Sequence, residues 1–170
     1  MLVNNAGRTR VIPHADIDAA SVEVFREIFD VNVFGTWQLI QAALPALRHS
    51  RGSIVNITSV AGVRPTGSSI PYAASKAALN HLTVLLAKVV GPEVRVNAVA
   101  PGLVDTPWLR QGLGAERYAQ HRAEWLERAA LEDVIQPEDV ADAVWWLGAG
   151  AAKTTGEILL LDAGWRLSKL

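Results

Sequence analysis

Tyr72 and Lys76 stand four residues apart in a stretch with helical period, roughly Pro71 to Val90, so their side chains share one face. A phenol alone is a poor acid or base near neutrality, because its ordinary pKa is about 10. An ammonium group beside it favours the phenolate and lowers that value. The pair therefore predicts a tyrosine able to exchange a proton with an alcohol or carbonyl oxygen. Ser59, thirteen residues before Tyr72, follows an apolar run and would hydrogen-bond the same oxygen. Asn32 follows Phe25, Ile28 and Phe29 by seven, four and three residues, which sets an amide on an apolar helix face. Buried there it needs partners, and an ordered water or a lysine would serve.

The elements that must position these groups alternate between short apolar runs and longer helical segments, the pattern of βαβ units and a parallel sheet. Strands are predicted at Leu2–Asn4, Ser53–Thr58, Val94–Val99 and Glu157–Leu161. Helices are predicted from about Ala20 to His49, bent near Gly35 and disturbed at Pro45, from Pro71 to Val90, and from Gln136 to near Gly148. Residues 103–130 make a long, partly helical connection of the kind that covers a site. Ligands of open α/β sheets bind beyond the carboxyl ends of the strands. Asn5, Ala6 and Gly7 follow the first strand, Ser59 the second, and Pro101, Gly102, Leu103, Val104, Asp105 and Thr106 the third. The first strand starts at residue 2, an apolar edge with no neighbour, so residues 1–170 read as one partial domain that begins in the middle of a sheet.

Composition narrows the function classes. The 170 residues carry a net charge of −1 with no block of one sign, which gives no footprint for nucleic acid or an anionic membrane. There are no cysteines, so disulfides and thiolate metal sites are excluded. The most apolar stretch, Leu82 to Val90, is too short to span a bilayer and contains Lys88. A cytoplasmic protein without a signal peptide is expected. His14, His49, His81 and His121 lack metal-ligand spacing. Trp145, Trp146 and Trp165 read as core or subunit contacts, and Arg8, Arg10 and Arg64 as a solvated rim. Trp108, Leu109 and Trp125 could line an apolar substrate pocket or serve helix packing equally well.

Taken in order, Asn4-Asn5-Ala6-Gly7, Asp30-Val31-Asn32, Ser59, Tyr72-Ala73-Ala74-Ser75-Lys76, Pro101-Gly102, Gln136-Pro137-Glu138-Asp139-Val140-Ala141 and Leu161-Asp162-Ala163-Gly164 resemble the short-chain dehydrogenases/reductases over essentially the whole chain. The resemblance implies a Rossmann-like parallel sheet with flanking helices, missing the N-terminal nucleotide-binding half. It implies hydride transfer between NAD or NADP and a secondary alcohol or ketone, with Tyr72 as acid/base, Ser59 orienting substrate and Asn32 holding a proton-relay water. Lys76 would bind the nicotinamide ribose and lower the Tyr72 pKa. Asn5, Ala6, Gly7, Tyr72, Lys76, Pro101, Gly102, Val104 and Thr106 would touch the cofactor, and no metal is implied. A homo-oligomer is expected through the helices near 20–49 and 70–90. The glycine-rich pyrophosphate turn of that family has no counterpart in this sequence, nor has the residue that selects NAD or NADP. Weak cofactor binding is therefore expected, and a non-catalytic remnant or interaction subunit is the rival reading.

Overall fold

The computed structural model describes residues 1–167. Four strands, β1 (Leu2–Asn4), β2 (Ser53–Ile57), β3 (Arg95–Pro101) and β4 (Ile158–Leu161), form one parallel sheet in sequential order. Strand β3 runs two residues beyond the expected Val99, because Ala100 and Pro101 stay in register with Leu160 and Leu161. Proline costs the ladder little there, since the amides of Ala98 and Gly102 donate to the β4 side and the Pro101 nitrogen faces β2, which ends at Ile57.

The apolar run of β2 is sorted by the pleat. Ile54 packs with Val96, Ile40, Leu47, Leu86 and Val90 on one face. Val55 packs with Val99, Leu147, Val140 and Val144 on the other. The first face is covered by α2 (Thr36–His49) and α3 (Ile70–Val90), with α1 (Val22–Phe29) packed on α3, and the second by α6 (Pro137–Trp145). The connection after β3 holds two helices, α4 (Pro107–Leu113) and α5 (Ala115–Arg128), divided at Gly114 with φ +79°.

Between α1 and α2 the chain is a π-helical turn, Asp30–Gly35, where the sequence suggested a bend at Gly35 alone. The Thr36 hydroxyl donates to the Asn32 carbonyl at 3.0 Å, taking the acceptor that the Thr36 amide uses in a regular helix. Helix α2 runs through Pro45 unbroken. Pro45 lies on an exposed face, where water can satisfy the carbonyl left without an amide partner.

Two polar devices tie the layers together. A buried chain runs from the Asn4 amide to Asn56 Oδ1 at 2.8 Å, from the Asn56 amide to Thr83 Oγ1 at 2.9 Å, and from that hydroxyl to the Leu79 carbonyl at 2.9 Å. It links β1 and β2 to α3 directly beneath the strand ends. On the other face Arg95 closes the end of α6, donating to the carbonyls of Leu147 and Gly148, both at 2.7 Å, and of Ala151 at 3.1 Å. A lysine keeps the charge but not the planar fork. Arg95→Lys should lower the unfolding free energy by about 1–2 kcal/mol; an unchanged urea midpoint would show that the fork contributes nothing.

Candidate active site

Ser59, Tyr72 and Lys76 converge on one cavity of about 1610 Å³ at the carboxyl ends of the strands. Helix α3 starts behind Ser69, whose hydroxyl accepts the Tyr72 amide at 3.4 Å, so the tyrosine sits in the first turn facing β2. Ser59 precedes a 3-10 turn, Val60–Gly62, and its Oγ accepts the Ala61 amide at 3.2 Å. The serine proton is left free to donate toward Tyr72, where it favours the phenolate.

Burial pushes the Tyr72 phenol above its ordinary value, and the hydrogen bond with Ser59 opposes that rise only in part. The direction is opposite to the one expected from the Tyr-Lys spacing. Lys76 Nζ lies 5.7 Å from the ring centroid and donates to the Ile57 carbonyl at 2.9 Å, so desolvation outweighs the cation. Lys76 itself is 4% exposed, and burial lowers its pKa from 10.5 to about 8.

That lowering has a testable sign. Between pH 8 and pH 10.5 the unfolded lysine holds its proton while the folded one has released it. Folding stability should therefore rise with pH across this window and be lost as pH falls through 8. The raised Tyr72 value acts in reverse from pH 10 upward, so the clean interval is pH 8 to 10. A gain of about 2 kcal/mol is expected there by urea denaturation. Lys76→Met should flatten the slope; a slope that persists would assign it to another group.

The other expected residues divide. Asn5, Ala6, Gly7, Pro101, Gly102, Val104 and Thr106 all line the same cavity. Asn32 does not. Its amide nitrogen donates to the Arg8 carbonyl at 3.0 Å and to Ser75 Oγ at 2.9 Å, while Oδ1 accepts the Arg8 amide at 2.7 Å. Protein groups thus take the places suggested for a water or a lysine. Ser75 in turn donates to the Tyr72 carbonyl at 2.7 Å, so Asn32 fastens the segment after β1 to the turn carrying Tyr72 and Lys76. A Cβ on Gly7 would lie 3.6 Å from both Asn32 Oδ1 and Lys76 Nζ, which makes this bare backbone the wall between them.

Sequence reasoning missed several supports. Ser75 gave a signal, standing between the tyrosine and the lysine, but no role was drawn from it. Gly62 gave none: a Cβ there would meet the Lys76 carbonyl carbon at 2.8 Å and the Ala77 nitrogen at 2.9 Å, so the serine turn touches the α3 backbone. Trp125, open between pocket and packing, does both. It lines the cavity and stacks on Trp165 with centroids 5.3 Å apart. Its Nε1 donates to the Asp133 carbonyl at 3.0 Å, and its ring edge would lie 2.1 Å from a Cβ on Gly102. Arg110 and Asp105 pair at the start of α4, where Tyr118 and then the Arg110 guanidinium hold the Asp105 carboxyl below its usual range.

A nicotinamide–ribose moiety fits this surface. The Lys76 ammonium faces the cavity with donors to spare beyond Ile57, and the bare Gly7 backbone beside it leaves room for a ligand to approach.

The comparisons agree with the fold. The profile of the family described as enoyl-(acyl carrier protein) reductase matches residues 1–166. A Streptomyces violaceoruber protein, named as ketoacyl reductase 2 of the granaticin polyketide synthase, is 53% identical over 165 residues, covering 96% of this chain and 65% of its own length. The aldohexose dehydrogenase structure of Thermoplasma acidophilum superposes with a TM-score of 0.87 at 34% identity, covering 99% of this chain and 68% of that one. The 3-oxoacyl-acyl-carrier-protein reductase of Brucella melitensis, solved with bound NAD, gives a TM-score of 0.80 at 32% identity over 95% of this chain and 60% of that one. The chain belongs to the short-chain dehydrogenase/reductase family and has its Rossmann-like α/β fold. It spans about two thirds of the length of these relatives.

Proposed function

We propose that the chain is the substrate-handling part of a nicotinamide-dependent oxidoreductase acting on a carbonyl/alcohol pair, within one partial domain, residues 1–170. The observation that carries this reading is the single cavity wall shared by the Ser59 hydroxyl, the Tyr72 phenol and the Lys76 ammonium, beside the bare backbone of Gly7. The relatives named as reductases and dehydrogenases support it, and the NAD-bound neighbour supports the cofactor class, NAD or NADP.

When bound, the cofactor supplies or accepts a hydride. Asn5, Ala6, Gly7, Pro101, Gly102, Val104 and Thr106 would hold it, with Lys76 donating to a ribose hydroxyl. Ser59 donates to the substrate oxygen and orients it. Tyr72 gives its proton to that oxygen as charge develops there, the step of a general acid. Because burial keeps the phenol protonated at neutral pH, the resting chain holds the form that ketone reduction consumes. Asn32 acts by position, keeping Gly7 and Arg8 against the Lys76 turn. The decisive assay follows nicotinamide absorbance with NADH or NADPH and a panel of ketones. Ketone-dependent oxidation by the folded chain supports the reading, and none with either cofactor rejects it.

Copies of the chain are proposed to pair through α2 and α3 with the π-helical turn. Phe34, Leu85 and Val89 are 54%, 50% and 70% exposed on the π-helical turn and α3, an apolar display on the side that the sheet does not cover. Sedimentation at micromolar concentration should give a dimer or tetramer, which Leu85→Asp should convert to monomers. A wild-type monomer would remove this proposal.

A further inference from the structure

The two lid helices present different chemistry to the one cavity. Helix α4 contributes Trp108, Leu109 and Leu113, an apolar wall. Helix α5 contributes Arg117, Gln120, His121 and Glu124, positions three and four apart that make a polar stripe along one face. Its buried residues, Tyr118 within the stripe and Trp125 just after it, anchor the helix.

Within each half, one residue is left uncommitted. Trp125 and Trp165 stack on each other, whereas Trp108 has no aromatic partner among the described residues and is 55% exposed although it lines a concave surface. Glu124 is engaged by Gln120 at 3.0 Å and faces His121 at 3.9 Å. Arg8 and Arg10 pair with Glu27, Arg110 with Asp105 and Arg166 with Asp162. Arg128 lies over the Trp165 ring. Arg117 has no acid, carbonyl or ring partner among the described residues, yet it lines the cavity one turn beyond the Gly114 junction with α4.

We propose that the site takes an amphiphilic carbonyl compound: its reacting oxygen at Ser59 and Tyr72, a planar apolar body against Trp108, and an anionic group, carboxylate or phosphate, received by the Arg117 guanidinium. The inference rests on the oxidoreductase reading and adds the substrate class to it. A guanidinium at the mouth matches either anion through its planar fork, and the flat indole matches an aromatic or polycyclic body. The long connection after β3 thus selects both ends of one molecule, the apolar end by α4 and the charged end by α5.

The test compares 2-tetralone with a 2-tetralone bearing a carboxylate on its far ring, using the full chain with NADH or NADPH. In the wild type the carboxylate ketone should have the higher kcat/KM, by about tenfold. Arg117→Ala should bring the ratio close to one through a rise in KM for the charged ketone, and Arg117→Lys should restore part of it. Trp108→Ala should raise KM for both ketones. Arg122→Ala, on the same helix but off the cavity lining, should leave the ratio as it was. Equal kcat/KM values in the wild type, or a preference that survives Arg117→Ala, would overturn the proposal. If neither ketone is reduced, the oxidoreductase reading fails separately. Quenching of indole fluorescence by the two ketones then decides the substrate class: tighter binding of the anion that is lost in Arg117→Ala supports it, and equal binding ends it.

Discussion

In Tyr72→Phe, ketone reduction should fall by about 10²–10⁴-fold, the usual contribution of a positioned general acid. The phenyl ring preserves the packing against the Gly67 backbone and leaves Lys76 in place, so folding and cofactor affinity should be nearly unchanged. Only the hydroxyl bonded to Ser59 is lost, and with it the proton destined for the substrate oxygen. The wild-type rate should also decline at alkaline pH, where the phenol finally ionises, above its ordinary value of 10 because burial raises it. Comparable turnover in the phenylalanine variant would end the assignment of Tyr72 as the acid.

Gly62→Ala should damage both the fold and the site. The added Cβ would lie 2.7 Å from Asn80 Nδ2, 2.8 Å from the Lys76 carbonyl carbon and 2.9 Å from the Ala77 nitrogen. Two of those atoms belong to the backbone of α3 and cannot swing aside, so the serine turn must lift off the helix. Overpacking of this kind costs about 3 kcal/mol. The displacement acts on Ser59, three residues away, so turnover should fall further than stability alone explains. A melting curve and a kcat measured together decide the matter. Wild-type kcat in a destabilised protein would confine Gly62 to packing.

The strands were legible because their apolar runs are long and bounded by turn residues, and only the tip of β3 escaped notice, hidden by a proline that contributes its carbonyl alone. The bend after α1 was legible as a glycine near residue 35, but the π-helical turn over Asp30–Gly35, with the Thr36 hydroxyl on the Asn32 carbonyl, depends on packing no sequence displays. The convergence of Ser59, Tyr72 and Lys76 followed from spacing and strand ends. The sign of the Tyr72 shift did not, because it is set by how much protein surrounds the phenol, a property of the packed layers rather than of the four-residue interval. Asn32 was expected to meet a water or a lysine; its bonds to Arg8 and Ser75 were not legible, because that proximity is created by folding. The split lid was least visible, since its buried residues are few and far apart along α5.

Gly102 sits where the indole of Trp125 presses on the tip of β3, with no room for even one carbon between them. The smallest residue at one position and the largest at the other are halves of a single volume. Neither can drift independently: enlarging residue 102 demands that 125 shrink, and shrinking 125 opens a hole beneath the lid. Tuning the roof of this cavity toward new substrates is therefore open at Trp108 and Arg117, which answer to no such partner, and closed at the root of α5.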